Sequence, residues 1–577
     1  MVAATTAANE LKTPRLTLAV DTIAAKTQTI RSLDWDRSRF DIEFGLQNGT
    51  TYNSFLIEGE KVALVDSSHE KFRKLYLDAL QGLIDPARID YLIISHTEPD
   101  HSGLTRDLLE LNPNITVVGS KVALQFLDNM VHRPYNKQQV KSGDTLELGA
   151  DHVLEFVSAP NLHWPDTIFT YDRKTEILYT CDAFGMHYCS DATYDEDFKT
   201  IEGDFRYYYD CLMGPNARSV LSALKRMENL GEITTIATGH GPLLRYNVTE
   251  WVDRYRTWSQ AQAKAGTTVA VCYVSDYGYS DRLSQAIAYG ITKTGVEVEM
   301  IDLRAADPQE LREIISHVTG IVIGTPPTEA SEQLQVSLNT ILASAHDKQA
   351  IGVFDAYGGN DEPIDSLLGQ FRNLGLKVGF PPIRIKDTPQ DSTYQLCEES
   401  GTDLGQWLTR ADTIKKMKSL DTDLDKALGR IAGGLYIITA QKGEVRSAML
   451  ASWVAQASFE PLGFTVAVAK DRAIEALMQV GDSFVLNVLE EGNYQALMKH
   501  FLKRFPPGAD RFAGVKTQTA QNGSPILVDA LAYLECAVTS RMDCGDHWVV
   551  YCQVHAGKVS KPDGLTAAHY RKVGNHY

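Results

Sequence analysis

Apolar positions along the chain fall into three successive regimes, each with its own period. Up to residue 258, short apolar runs such as KVALVD, YLIIS, ITVVG and EILYTCD alternate with amphipathic stretches such as KFRKLYLDALQGL. The runs predict buried strands and the stretches between them predict helices, a layered α/β pattern. From Val269 onward, TVAVCYVS, VEVEMIDL, GIVIGT and AIGVFD are near-continuously apolar. Strands of a parallel sheet covered on both faces read this way, so a doubly wound domain is predicted. The last part, with GGLYIITA, GFTVAVA, SFVLNVL and VVYCQVHAGKV, is β-rich with brief helical interludes and predicts a barrel.

Two joints separate these regimes. The first is the small, polar run from Ser259 to Thr268, and the second is the charged stretch TRADTIKKMKSLDTDLDKA over 409–427. The resulting division is an N-terminal extension (1–34), a first domain (35–258), a second (267–410), a linker (411–427) and a third domain (428–577). A chain of 577 residues is too long for one hydrophobic core, which agrees with three modules.

Composition narrows the function classes. With 44% hydrophobic and 23% charged residues the chain reads as globular throughout. Acidic residues outnumber basic ones by 74 to 56, and a formal charge of -18 argues against a nucleic-acid partner. The N-terminus has no basic segment followed by an apolar one, and no stretch offers about 20 uninterrupted apolar residues, so a cytoplasmic protein without a membrane span is expected. None of the eight cysteines forms a CxxC pair of the rubredoxin or zinc-ribbon kind, and most are expected as buried small hydrophobes in a reducing compartment.

The densest chemistry lies in Tyr91-Leu-Ile-Ile-Ser-His-Thr-Glu-Pro-Asp-His101, which places His96, Glu98, Asp100 and His101 within six residues at a strand end. Pro99 stiffens that turn, and Ser102-Gly103 lets the chain swing into a helix. Downstream, NLHWPD supplies His163, YTCDAFG supplies Asp182, and TGHGP supplies His240, again at strand ends or tight turns. His132, His152 and His187 lack such turn context and are assigned to surface or supporting positions.

This series resembles the metallo-β-lactamase fold, and within it the diiron module of flavodiiron proteins, over residues 35–258. Zinc hydrolases of that fold read HxHxDH at the first motif, whereas this chain has Glu98 in place of the second histidine. Carboxylate mixed with imidazole suits iron or manganese redox chemistry better than an all-nitrogen face. By resemblance, His96, Glu98, His163 and Asp182 hold one iron. Asp182 bridges to a second, held by Asp100 and His240 with His101 as a further candidate. A carboxylate can face two cations with its two oxygens, which an imidazole cannot. No catalytic residue beyond the metal ligands is indicated.

After the strand TVAVCYV comes Ser275-Asp-Tyr-Gly-Tyr-Ser280 and then a helix-like segment. Hydroxyls and backbone N–H groups at a helix start form a cradle for a phosphate dianion, with Gly278 allowing close backbone approach. Gly324-Thr-Pro-Pro-Thr328 and Asp355-Ala-Tyr-Gly-Gly-Asn360 end the third and fourth strands, so three loops can surround one ring system. Together they resemble flavodoxin over 267–410. The resemblance implies FMN held by Ser275, Tyr277, Gly278, Tyr279, Ser280, Thr325, Pro326, Thr328, Tyr357, Gly358, Gly359 and Asn360, with Tyr357 stacked on the isoalloxazine. Relatives often have Trp where Gly359 stands here.

Residues 428–577 resemble the split-barrel flavin reductase family through SAMLASW, AKDR and CGDH. That resemblance assigns FMN or FAD to Ser447, Ser452, Trp453, Lys470 and Arg472, and puts His547 near a nicotinamide. No GxGxxG follows any strand, so NADH or NADPH would bind without a Rossmann domain.

The order of the three modules resembles the three-domain flavodiiron proteins of oxygenic phototrophs. It implies an NAD(P)H:oxygen oxidoreductase with two irons per chain, in which electrons pass through flavin to a diiron site that reduces dioxygen to water. Nitric oxide reduction by the same machinery is the first alternative. The others are a zinc hydrolase, which Glu98 and the charge disfavour, and a subunit active only with a paralogue. In flavodiiron proteins the two sites of one chain lie far apart, which implies a head-to-tail homodimer, or a heteromer, with electrons crossing between chains.

Overall fold

A computed structural model of the chain describes residues 15–40, 44–263, 266–274, 279–304, 306–325, 331–355, 364–385, 388–410, 423–503, 505 and 508–570. The first module is a sandwich of two sheets. One has seven strands in the order Leu16–Ala24, Thr27–Asp34, Thr50–Glu58, Val62–Val65, Ile89–Ile93, Thr116–Gly119 and Asn136–Gln139. Pairing is antiparallel as far as Val62–Val65 and parallel beyond it. The other has five strands, Thr145–Gly149, His152–Ser158, Ile168–Asp172, Ile177–Cys181 and Thr235–Thr238, in sequence order. Phe55, Val65 and Ile93 of the first sheet pack on Phe156, Ile168 and Tyr179 of the second.

The sandwich begins earlier than the sequence reading placed it, because the hairpin Leu16–Ala24/Thr27–Asp34 lies within the stretch assigned to an extension. Its second strand is almost wholly buried. Two nitrogens of the Arg31 guanidinium donate there to the carbonyls of Ala192 and Asp191, each at 2.8 Å. A strand carrying a buried arginine does not show as an apolar run.

The second module is a parallel sheet in the order Glu297–Asp302, Thr268–Tyr273, Gly320–Gly324, Ala350–Phe354, Lys377–Val378. The two faces carry separate cores, Ile321 and Ile351 on one side and Val271 and Val322 on the other. This 2-1-3-4-5 order puts the ends of the first and third strands at the switch point where ligands bind. The third module curls a seven-stranded antiparallel sheet around one core, in the order Val445–Ala451, Tyr436–Lys442, Ser483–Val488, Ala532–Asp543, His547–Val559, Leu462–Ala469, Val454–Phe459. Among the described residues no helix is long and apolar enough to cross a membrane.

Charged contacts lock the modules together. Lys293 of the second module is buried between Glu398, also of the second, and Glu475 of the third, 2.6 Å from the latter, and Glu475 also pairs with Arg541. Gln47 of the first module donates to the Arg541 carbonyl at 2.9 Å, and Arg39 reaches Asp482 at 3.1 Å.

Candidate metal and flavin sites

The strand Ile89–Ile93 runs out into a short loop and then the helix Pro99–Ser102, so His96 to His101 are delivered at the sheet's edge. Asp166 clamps the loop: its Oδ2 accepts from the Thr97 N–H at 2.8 Å and its Oδ1 lies 2.9 Å from His96 Nδ1. At the end of Ile177–Cys181, Cys181 takes a left-handed φ of 53°, which turns the chain so that Asp182 projects into the site. Gly239 precedes His240 because a Cβ there would come within 2.7 Å of the His101 ring.

These elements gather all seven residues singled out from the sequence. His96, Glu98, His163 and Asp182 present ligand atoms within 4.8 Å of one another, and Asp100, His101 and His240 do the same. Asp182 stands between the two groups. Its Oδ2 faces His163 Nε2 at 3.1 Å and His96 Nε2 at 3.5 Å, while its Oδ1 faces His101 Nε2 at 2.9 Å and His240 Nε2 at 3.3 Å. Glu98 Oε2 lies 3.2 Å from His96 and 3.1 Å from His163, and Asp100 reaches His240 at 3.4 Å and His101 at 3.5 Å.

All four imidazoles turn Nε2 inward. On the outer side His96 Nδ1 meets Asp166, and His240 Nδ1 meets the Thr51 carbonyl at 2.6 Å. Such partners fix the tautomer and aim the ring of a metal-bound histidine. Burial pulls the His163 imidazole down, but Asp182 and Glu98 outweigh it and raise it to about 10. Burial likewise pushes the Glu98 carboxyl up, and His163 and His96 bring it well below the ordinary range.

The donor set fits a pair of metal ions. Asp182 Oδ2 and Asp100 Oδ1 are buried without a hydrogen bond among the described residues. Three carboxylates meet here with one guanidinium near them, Arg282 at 3.9 Å from Glu98.

The outer partner of His163 comes from the second module. The Gln285 amide, on the helix Ser280–Thr292, lies 2.6 Å from His163 Nδ1, and Arg282 of the same helix approaches Glu98. That helix follows the phosphate loop inferred from the sequence. The resemblance implied that the flavodoxin site and the metal site of one chain lie far apart; in this chain the helix that follows the phosphate loop touches the metal cluster. Ser280 is buried at the start of the helix, and its Oγ accepts from the Val274 N–H at 3.4 Å. Tyr279 precedes it, and Thr325 is buried at the end of Gly320–Gly324. Ser275, Tyr277, Gly278, Pro326, Thr328, Tyr357, Gly358, Gly359 and Asn360 lie outside the described residues.

In the third module Trp453, Lys470, Arg472 and His547 line one cavity of about 1160 Å³. Ser447 and Ser452 do not line it; both are buried, and their hydroxyls have no hydrogen bond among the described residues. The cavity is walled as well by Tyr207 and Trp258 of the first module and Lys293 of the second, which sequence reasoning missed because the modules were read separately. Trp548 also lines it, with Lys470 4.5 Å and Arg541 4.1 Å above its ring. Of the remaining histidines, His152 is buried against Asp172 at 2.8 Å. His132 caps a helix with φ 53°, and His187 packs on His240 with ring centroids 4.6 Å apart.

Comparison with known proteins agrees with this layout. Residues 50–241 match the model of the ODP family beta lactamase, and residues 428–574 match that of the flavin reductase like domain. Diflavin flavoprotein A 1 of Synechocystis sp. is 70% identical over 563 residues, covering 98% of each chain. The metal-soaked Flv1 flavodiiron core from Synechocystis sp. superposes with a TM-score of 0.66 at 38% identity, covering 69% of this chain and 100% of that one.

Proposed function

The chain belongs to the diflavin flavoprotein A family of flavodiiron oxidoreductases, and from that premise we propose that it is an NAD(P)H:oxygen oxidoreductase reducing dioxygen to water. One observation carries the reading: the two oxygens of Asp182 each face a different pair of histidines, with Glu98 and Asp100 completing the two halves. Two irons held there would gather electrons one at a time from reduced flavin beside a bound oxidant.

The chain's own residues prepare the site for that chemistry. Asp182 spans the halves, and Asp166 and the Thr51 carbonyl hold His96 and His240 with Nε2 inward. At His163, a metal on Nε2 would leave the proton on Nδ1; the Gln285 amide, whose Nε2 lies 2.6 Å from that nitrogen, would accept it with its oxygen after a half-turn about Cγ–Cδ. FMN in the second module and flavin with a nicotinamide in the third complete the cofactor set of this proposal. Trp453 and His547, whose rings lie 5.1 Å apart, form the aromatic wall of the third module's cavity.

We assign the electron path to a single chain. Gln285 and Arg282 support it, because they tie the helix behind the flavodoxin-like phosphate loop to the metal ligands of the same chain. A head-to-tail dimer is then not needed to bring flavin to metal.

The test is gas uptake by the iron- and flavin-loaded chain. The expected result is one dioxygen consumed per two NAD(P)H oxidised, without peroxide. A strong preference for nitric oxide over dioxygen would replace the substrate. Co-expressed metal-site and phosphate-loop variants, each inactive, are expected not to complement; restored uptake in proven mixed dimers would return the electron path to two chains.

A further inference from the structure

The cavity of about 1160 Å³ has aromatic surfaces on two modules. Trp453 and His547, with rings 5.1 Å apart, belong to the third. Tyr209 and Trp258 line the same space from the first module, 5.0 Å apart, and the Arg206 guanidinium lies 4.5 Å from the Trp258 ring. Among the described residues Trp258 meets only rings of its own module, those of Phe205, Tyr209 and Tyr255, so its platform is distinct from the third module's wall.

The platform is held in place. Arg206 and Asp210 close a two-pronged ion pair, Nε to Oδ2 at 2.9 Å and Nη2 to Oδ1 at 2.8 Å, which fixes the guanidinium plane. The Tyr209 hydroxyl lies 2.8 Å from that of Ser259, on the helix Val248–Gln262 that carries Trp258. At Tyr209 the helix Phe198–Tyr208 passes into a π-helical turn, Tyr209–Met213, in which the Gly214 N–H reaches back five residues to the Tyr209 carbonyl. Such single turns occur mostly at functional sites. Four of the five cations lining the cavity lie within 2.9 Å of a carboxylate: Arg206 with Asp210, Arg254 with Glu250, Lys293 with Glu475 and Lys470 with Asp543. Only Arg472, on the third module, approaches its carboxylate no closer than 4.0 Å. The first module's wall therefore offers flat faces to a planar ring and no spare charge to a phosphate.

A pyridine dinucleotide has two planar ring systems joined by a pyrophosphate, and hydride transfer fixes only one of them, since the nicotinamide must lie against the flavin. No glycine-rich Rossmann fingerprint follows any strand to hold the other half. We propose that the first module holds it: the adenine of a dinucleotide stacks on the Trp258–Arg206 platform while its other end lies at the third module's wall. The proposal rests on the flavin and NAD(P)H reading above. NAD(P)H is one source of that adenine and FAD in the third module is the other. In either case the nucleotide bridges two modules, and the third module's site is complete only when the first is docked against it.

The test is a calorimetric titration of the full chain, reconstituted with FMN, with ADP-ribose, which carries the adenosine diphosphate half without nicotinamide. Losing the stack of a base on an aromatic side chain costs about 5- to 150-fold, so Trp258→Leu should weaken ADP-ribose binding by that factor. Trp258→Phe, which keeps a ring, should retain most of the affinity. Arg206→Ala, at a side chain 40% exposed, should weaken it too, without removing a packed ring. Reduced nicotinamide mononucleotide has no adenine, so in Trp258→Leu the rate at which low concentrations of NAD(P)H reduce flavin should fall relative to the rate with the mononucleotide. If FAD supplies the adenine, Trp258→Leu weakens FAD and not FMN. ADP-ribose and FAD affinities equal in the parent, Trp258→Leu and Arg206→Ala, or parallel loss of the NAD(P)H and mononucleotide rates, would overturn the site. ADP-ribose bound as expected by a parent chain whose flavin NAD(P)H does not reduce would uphold the site and overturn the donor reading.

Discussion

Two clusters of buried charge in this molecule look alike in density and differ in closure. Around Glu475, two carboxylates meet two cations: Lys293 and Arg541 answer Glu398 and Glu475, and Gln479 donates to Glu475 at 3.4 Å. The cluster is electrically complete and holds modules together. Around Asp182, three carboxylates meet four imidazoles and one distant guanidinium, and carboxylate oxygens are left without hydrogen bonds among the described residues. Carboxylates answered by fixed lysine and arginine cations are structural, whereas carboxylates answered only by imidazoles, which give up their protons to bind a metal, form a site for a cation.

The difference can be broken at either end. Asp182→Ala removes the shared carboxylate, and loss of such a ligand should exceed the 10- to 100-fold typical of losing a supporting partner. Gas uptake and bound metal should both vanish while flavin content persists, as oxygen electrode, metal analysis and absorbance will show. Arg541→Met should leave metal content intact, since the closed cluster shares no residue with the Asp182 cluster, while the Trp548 wall of the third module's cavity loses the guanidinium above it. Leaving Lys293 alone to answer both Glu398 and Glu475 should cost about 3 to 5 kcal/mol, read as a lower denaturant midpoint.

Gln285→Leu tests where the two modules meet. Without its amide, His163 loses its outer partner, and metal affinity or turnover should fall about 10- to 100-fold. Gln285→Glu, which keeps an acceptor, should retain most of it. Asp204 is a third kind of carboxyl, half-buried, with neither cation nor metal-site histidine against it among the described residues. Its folded-state value of about 6 lies above the ordinary value of about 3.9. The stability it lends is therefore present below about pH 4 and lost as pH rises through 6. Asp204→Asn should stabilise the chain above pH 6 by about 1 to 2 kcal/mol and flatten that slope in pH-dependent unfolding.

What the sequence disclosed follows the same division. The residues from His96 to His101 sit together on one strand-end loop, and His163, Asp182 and His240 lie at strand ends or tight turns, so the grouping of these seven side chains was legible. The doubly wound module was legible because its strands are short apolar runs and its order is set by short crossovers. The closed cluster was not, since Lys293, Glu398, Glu475 and Arg541 are dispersed over four elements of two modules and form one cluster only when those modules dock. Contact between Gln285 and His163 was hidden for the same reason. Thr27–Asp34 escaped notice because its burial is bought with polar side chains, Arg31 above all, instead of an apolar pattern.

The claim that the Asp182 cluster is a two-metal redox centre is tested most directly by the metal content of the chain purified from its native source, measured beside the same chain carrying Asp182→Ala. Two irons per chain in the parent, lost in the variant, are expected, with reduced flavin reoxidised by dioxygen only in the parent. Zinc in place of iron, or flavin reoxidation to water at the parent rate in a variant stripped of iron, would contradict it.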